Sequence, residues 1–245
     1  MTTLITTVKK TSALRAYFRG LRAYTRVPAA LSRHRLWHYQ LLPAFMSVLL
    51  SGIVLAAIYY GTRGLAGWLD ARVELPFAWL DEMFTVVVGV GLFLSLVMIF
   101  LFIQKHIVIV LLAPFLSMIA EKITRAEIGE QTDTVMGTWL TLRRSAIINT
   151  RSILLEIVFT LVLLVLGFLI PPLSPFSSAL ALWVQSRYAG VGLMDFPLEY
   201  RGMSAKQSIA WSSQHKATAA GVGTGYLLLM LIPVIGWLFA PTFGT

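Results

Sequence analysis

Charged residues are scarce in this chain, and several long stretches contain none, two of them in the N-terminal half. No Asp, Glu, Lys or Arg occurs from Gln40 to Tyr60 or from Phe84 to Ile103. A helix of about 20 apolar residues spans the hydrocarbon core of a bilayer, so each stretch is long enough to cross a membrane. Charged residues make up 13% of the chain, against about 25% in soluble domains, and the mean hydropathy is +0.77. The sequence therefore predicts an integral membrane protein.

Cysteine is absent from the sequence, which excludes disulfides, thiolate nucleophiles and cysteine-ligated metal sites. The sequence patterns of serine hydrolases and of paired catalytic carboxylates are also missing, so we predict no catalytic residue, no cofactor and no enzyme. His34 and His38 have the four-residue spacing of a zinc-binding pair. The neighbouring Arg33 and Arg35 would repel a metal ion, and no metal site is predicted.

Acidic residues are absent before Asp70, whereas residues 1–38 contain eight Lys or Arg. The net charge of +9 is not accompanied by a recognised nucleic-acid-reading module, so no nucleic-acid partner is predicted. Basic residues beside apolar spans instead contact anionic lipid head groups and set the orientation of the chain in the membrane.

Residues 1–38 form a basic segment whose centre has helical periodicity. The apolar side chains at this spacing are Leu14, Tyr17, Phe18, Leu21 and Tyr24. The arginines that recur at intervals of four, three and four residues are Arg15, Arg19, Arg22 and Arg26. This arrangement predicts an amphipathic helix whose basic face binds anionic lipid in the head-group layer. The alternative is a basic disordered arm.

The two charge-free stretches predict two transmembrane helices within residues 39–112, separated by a loop at 61–83. The loop is net negative, because it contains more acidic than basic residues. The positive-inside rule then places the N-terminus and a helical segment at 113–151 in the cytoplasm, and the loop outside. No cleavable signal peptide is predicted, since the first apolar run begins near residue 39.

The C-terminal half begins with an apolar segment that is interrupted by proline. Ile153–Ile170 is followed by a cluster of prolines that starts at Pro171, and about eleven apolar-leaning residues then precede Arg187. Proline breaks a helix, and the returning arm is too short to span a membrane at ~1.5 Å per residue. We therefore predict a hemi-penetrating hairpin at 152–187.

A second proline-broken segment closes the chain. Residues 188–219 are predicted to be cytoplasmic, and residues 220–245 form a second hairpin around Pro233. The predicted fold class is an all-α integral membrane protein with one membrane domain, 1–245. It has two full transmembrane helices, two proline-broken hemi-penetrating hairpins and an N-terminal amphipathic helix. The alternative is that the broken segments are ordinary kinked spans.

Three basic residues mark a candidate anion site. Arg33, Arg35 and His38 precede the first span at its cytoplasmic mouth. A helix start offers free backbone N–H groups, and adjacent cations add to its attraction for an anion. The alternative interpretation is plain anchoring by the positive-inside rule.

Two further features stand out within apolar surroundings. Glu156 lies near the start of its apolar run, and intramembrane acids are costly and often functional, so Glu156 is a candidate pore residue. Alternatively, it snorkels to the interface or pairs with Arg151. Gly221–Gly225 resembles a phosphate-binding loop but lacks its Lys, and we interpret these glycines as sites where helices approach closely.

Several motifs carry a resemblance to a known family. Leu112–Phe115, followed by Ile119–Ile123, resembles the Ala-Pro-Phe and Glu-Lys segment of the CysZ family of bacterial sulfate permeases, which is grouped with the etoposide-induced membrane proteins. Asp195–Gly202 resembles the Asp-Tyr-Pro and Arg-Gly motif of that family, and Ile232–Pro241 resembles its closing proline run. The order and spacing of these motifs match from about residue 14 to residue 245.

The resemblance implies two full crossings, two hemi-penetrating hairpins, a homo-oligomer and sulfate uptake that feeds cysteine synthesis across the bacterial inner membrane. The Asp-Tyr-Pro and Arg-Gly motif of the family makes Asp195, Glu199 and Arg201 candidate pore or structural residues. The Gly-Leu-Arg-Arg sulfate motif of the family corresponds to Arg35–His38, where Leu36 alone matches. The sequence thus predicts an inner-membrane permease for sulfate or a related oxyanion. The alternative is a non-transporting membrane scaffold or assembly protein that binds anionic lipid through its N-terminal helix.

Overall fold

Residues 12–72, 78–128, 137–232 and 235–244 are described by a computed structural model, and regular structure in them is helical throughout. The predictions that concern residues 1–11, Glu74 and Pro233 fall outside this part of the chain. The helices are α1 Ala13–Arg33, α2 Trp37–Asp70, α3 Ala78–Leu111, α4 Ala113–Ile128, α5 Thr138–Leu169, α6 Ser174–Tyr200, α7 Ala205–Gln214, α8 Lys216–Met230 and α9 Ile235–Phe243. A short 3₁₀ turn, Pro171–Leu173, joins α5 to α6. The predicted all-α membrane fold is confirmed.

From Ser12 onward, the amphipathic segment is a helix rather than a disordered arm. Its N-cap is Ser12, whose hydroxyl accepts a hydrogen bond from the backbone N–H of Arg15. The helix tolerates Pro28 in its interior and ends at Arg33. Arg35 then adopts a left-handed backbone conformation with φ of 54°, which turns the chain into α2.

The first predicted span is confirmed as part of α2, which has 34 residues and is about 50 Å long. The segment predicted as a loop at 61–83 is largely helical, since α2 continues to Asp70 and α3 begins at Ala78. The small and apolar residues of this segment are compatible with a helix, although charged residues lie between them. Within the described residues, two helices are long and apolar enough to cross a membrane outright, Trp37–Leu69 and Thr138–Leu169. The second predicted span lies in α3. It is long and apolar enough only when Val86–Phe100 and Phe102–Leu111 are taken together, and these two parts are inclined to each other by 41°.

The chain reverses direction at the first proline cluster, as the hairpin prediction required. A Cβ atom on Gly167 of α5 would lie 2.5 Å from Ser177 Oγ of α6, so the two arms are antiparallel and in contact near the turn. Both arms are longer than predicted, because α5 begins at Thr138 and α6 continues past Arg187 to Tyr200. How deeply this hairpin enters the membrane remains a prediction.

Large apolar side chains cover the outside of the hairpin. Phe168 is 82% exposed and Phe176 is 74% exposed, close to the turn. Further exposed apolar residues of these two helices are Leu154, Val158, Leu161, Leu164, Leu169, Leu180 and Leu182. Exposure of a contiguous apolar surface of this kind to water is unfavourable, so we expect this surface to contact lipid tails.

Glycines bring α8 into direct contact with α6 and α1. A Cβ atom on Gly223 would lie 1.6 Å from the carbonyl oxygen of Ser186 on α6. On the opposite side of α8, a Cβ atom on Gly221 would lie 2.0 Å from the carbonyl oxygen of Tyr17 on α1. The close-approach interpretation of these glycines is therefore confirmed. Helix α1 is part of the core as well as of the surface.

Candidate functional site

Three consecutive polar residues of α3 lie inside the molecule. Gln104, Lys105 and His106 follow directly after the charge-free stretch, and all three are at most 3% exposed. Gln104 donates from Nε2 to Ser51 Oγ on α2, while Lys105 and His106 contact α5. Ser51 lies 14 residues after the start of α2, which places it about 20 Å along that helix. The polar residues are thus well inside the predicted membrane layer.

The carboxyl group of Glu156 on α5 contacts two basic side chains of α3. Its Oε1 atom contacts the ammonium group of Lys105, and its Oε2 atom lies 2.9 Å from His106 Nε2. Glu156 is completely buried and lies near the middle of α5. The alternative that it snorkels or pairs with Arg151 is wrong, since Arg151 is exposed and α5 begins far upstream of the apolar run.

The other nitrogen of His106 also faces an acceptor. Asn149 Oδ1 lies 3.1 Å from His106 Nδ1, and Asn149 Nδ2 donates to the Ser145 carbonyl oxygen at 2.9 Å. A carbonyl oxygen only accepts hydrogen bonds, so it fixes which end of the Asn149 amide faces His106. Asn149 Oδ1 can therefore accept a hydrogen bond from His106 Nδ1, while His106 Nε2 faces the Glu156 carboxyl group.

The buried cluster is formed by Lys105, His106, Glu156 and Asn149. In it, two basic side chains of α3 share one carboxyl group of α5, and the Asn149 amide contacts the imidazole from its other side.

A cavity of about 370 Å³ reaches the Lys105 side of the cluster. Gln104 and Lys105 of α3 form part of its wall, together with Gln185 and Ser186 of α6 and Thr224 of α8. The rest of the wall is apolar and comes from Leu182, Leu227, Leu228, Met230 and Leu231. The cavity offers a small polar solute a route to the Lys105 side of the cluster.

A second buried ion pair joins α5 to α6 and α7. Arg144 donates from Nε and Nη2 to the two carboxylate oxygens of Asp195, at 2.9 and 2.7 Å. The same guanidinium also contacts the carbonyl oxygen of Met203 and, at 2.7 Å, Ser208 Oγ. This bidentate geometry satisfies a charge that would otherwise be costly to bury. Of the two roles predicted for Asp195, the geometry favours the structural one.

Glu199 lies one turn after Asp195 and is also buried. It accepts from Thr141 Oγ1 at 2.9 Å and from Ser117 Oγ at 3.4 Å, which ties α6 to α5 and α4. Burial raises the pKa of the Glu199 carboxyl group, although the Thr141 hydrogen bond acts in the opposite direction. Arg201, from the same predicted set, is exposed at the C-terminal end of α6.

The three predicted anion ligands lie elsewhere. Arg33, Arg35 and His38 cluster around the α1–α2 junction and are exposed, and the His38 ring contacts that of Tyr39. They are separated from the buried cluster by about 20 Å along α2. The structure thus places a basic group at the start of α2 and a separate charged cluster in the helical core.

Sequence reasoning missed the partners of Glu156, although α5 carries a signal for them. One stripe of polar residues recurs along it at helical spacing, and the members of this stripe are buried. They are Thr141, Arg144, Ser145, Asn149, Ser152 and Glu156. In a membrane helix such a polar stripe faces the protein interior. Lys105 and His106 were visible as an interruption of an apolar run, but no pattern linked them to α5.

Among the described residues, no group of three or more His, Asp or Glu is arranged to hold a metal ion.

None of the curated proteins compared with the chain matches it. A family model, described as sulfate transporter CysZ/etoposide-induced protein 2.4, matches residues 23–241. The match covers the amphipathic helix from its middle, both predicted spans, the buried cluster, the first hairpin and the second predicted hairpin as far as Pro241. The protein is a multi-pass membrane protein that belongs to the sulfate transporter CysZ/etoposide-induced protein 2.4 family.

Proposed function

We propose that this protein is a permease that carries sulfate or a related oxyanion across the bacterial inner membrane and so supplies sulfur assimilation and cysteine synthesis. The buried cluster of Lys105, His106, Glu156 and Asn149 carries this proposal. It places two basic side chains against a single carboxyl group in the helical core. Membership of a transporter family supports the same conclusion.

An uncompensated positive charge inside a membrane is costly, and a permeant anion lowers that cost. The ammonium and imidazole N–H groups are strong, charge-assisted donors to oxyanions. The adjoining cavity provides space for a small solute beside Lys105. Together these features favour passage of an anion over that of a cation, which the cluster would repel.

The exposed basic residues at the start of α2 suit a role at the cytoplasmic mouth. Arg33, Arg35 and His38 would raise the local concentration of anions there, as charged rims do at other binding clefts. Replacement of Arg33 and Arg35 together with Gln should weaken anion binding. Unchanged binding would remove this site from the pathway. The protein is further proposed to act as a homo-oligomer with its N-terminus in the cytoplasm.

The test is uptake of radiolabelled sulfate into liposomes that contain the purified protein, beside protein-free liposomes. Saturable uptake that excess unlabelled sulfate suppresses is the expected result. If folded protein produces no uptake of sulfate, this proposal fails.

A second function is favoured by one observation on α1. Its arginines Arg15, Arg19, Arg22 and Arg26 are exposed and line a shared groove with Leu14 and Phe18. Such a surface suits phosphate head groups above apolar lipid tails. The protein would then be a lipid-binding scaffold without transport. In that case, binding to vesicles should depend on anionic lipid and on these arginines, and liposome uptake should equal the protein-free background.

A further inference from the structure

We propose that Glu156 is an internal competitor of the permeant oxyanion: its carboxylate occupies the donors of Lys105 and His106 until an oxyanion displaces it. This inference rests on the proposed permease function and assigns a specificity role to one residue of the same site.

The geometry of the carboxylate carries the inference. One oxygen of Glu156 contacts the Lys105 ammonium, and the other lies 2.9 Å from His106 Nε2. Two oxygens of a tetrahedral oxyanion can bridge two such donors in the same way. Glu156 therefore presents to Lys105 and His106 the same kind of acceptor that the solute would present.

The composition of the cluster favours this exchange. With Glu156 in place, two basic side chains share one carboxyl group. When the carboxyl group leaves, Lys105 and His106 remain as two adjacent donors from which an oxyanion can accept. Among the described residues no second acid contacts either donor. A chloride ion has no pair of oxygens to bridge the two donors, so the exchange favours oxyanions.

A neighbouring cavity gives the solute access to Lys105. Lys105 contacts Glu156 and also forms part of the cavity wall between α6 and α8. Transport requires binding that is strong enough to admit an ion and weak enough to release it. A tethered carboxylate meets this requirement, because it returns to the donors and expels the solute.

The experiment compares wild-type protein with Glu156→Gln, using equilibrium dialysis of radiolabelled sulfate against the full-length protein in detergent and uptake by liposomes. The amide keeps the shape of the side chain but removes its charge. We expect sulfate binding to tighten about tenfold or more, and maximal uptake to fall because release becomes slow. Glu121→Gln, a partly exposed carboxylate that pairs with Arg125, is the matched control and should leave both quantities unchanged.

Glu156→Asp provides a second variant in case the amide prevents folding. Its shorter side chain keeps the charge but cannot bridge both donors, so sulfate binding should tighten by a smaller factor than in Glu156→Gln. Unchanged or weaker binding in a folded Glu156 variant would overturn the inference. If wild-type protein transports sulfate but Glu156→Gln binds it no better, this inference alone fails. If Glu156→Gln gains affinity while wild-type protein carries no sulfate, the transport proposal fails and the displacement stands.

Discussion

Arg144 and Asp195 illustrate how single residues hold this membrane core together. Three nitrogens of the guanidinium contact Asp195, Ser208 and the carbonyl oxygen of Met203, so one side chain joins α5, α6 and the start of α7. Both members of the ion pair are almost fully buried. Loss of one partner of such a pair lowers the free energy of unfolding, because the other charge is then buried and unpaired.

Replacement of Arg144 with Ala should therefore lower the free energy of unfolding by about 3–5 kcal/mol, as measured by thermal or denaturant unfolding in detergent. The neighbouring Arg143 is exposed, and Arg143→Ala is the matched control with an expected change within about 0.5 kcal/mol. A double replacement, Arg144→Met with Asp195→Leu, should be less destabilising than Arg144→Ala. Equal losses for Arg143→Ala and Arg144→Ala would show that the buried pair has no special role.

At the scale of helices, α8 packs between α1 and α6. Its two glycine faces contact α1 through Gly221 and α6 through Gly223. In lipid the hydrophobic effect does not drive helices together, so van der Waals contact between backbones must do so. Small residues at these two positions set the distance between the helices and, through it, the shape of the cavity beside Lys105.

Gly223→Ala should force α6 and α8 apart and destabilise the protein by roughly 1–3 kcal/mol, the usual cost of overpacking. The matched control is Gly52→Ala in α2, where an added Cβ atom would meet no heavy atom within 4 Å. That substitution should be neutral or stabilising by up to about 1 kcal/mol, because alanine favours a helix. Thermal unfolding of both variants is the test. Equal transition temperatures for Gly223→Ala and Gly52→Ala would contradict the close contact between α6 and α8.

The elements differ in how far the sequence predicts them. Absence of charge over about 20 residues identified the first span, since lipid tolerates few alternatives to an apolar helix. The start of α5 was missed because residues such as Arg144 and Asn149 resemble a soluble segment until their partners on other helices are known. The apolar surroundings of Glu156 identify it as a candidate. Its pairing with Lys105 and His106 was not predicted, because those partners lie on another helix. Contacts between distant segments depend on tertiary packing, which no local pattern specifies.

For the molecule as a whole, the charge distribution predicts one orientation in the membrane. Exposed basic residues of α1 and of the segment 188–219 should face the cytoplasm, and the junction of α2 and α3 should lie outside. The hairpin turn near Ser174 should stay within the membrane, since only 13 residues, about 20 Å of helix, separate it from Arg187.

Cysteine labelling tests this orientation cleanly, because the sequence contains no cysteine. A membrane-impermeant maleimide applied to intact spheroplasts should label Ala71→Cys, and it should label Lys206→Cys only after permeabilisation. Ser174→Cys should resist the reagent on the outer side. Rapid labelling of Ser174→Cys from outside would show that the hairpin crosses the membrane fully and would replace the hemi-penetrating prediction with a spanning one.

The central claim is that the charged cluster between α3 and α5 lies on the path of an oxyanion. Sulfate uptake by liposomes that contain wild-type protein, Lys105→Gln or the exposed control Lys206→Gln tests it most directly. The account predicts saturable uptake by wild-type protein and by Lys206→Gln, and a loss of about tenfold or more in Lys105→Gln, with all three proteins folded. Uptake by Lys105→Gln at the wild-type rate would contradict the claim.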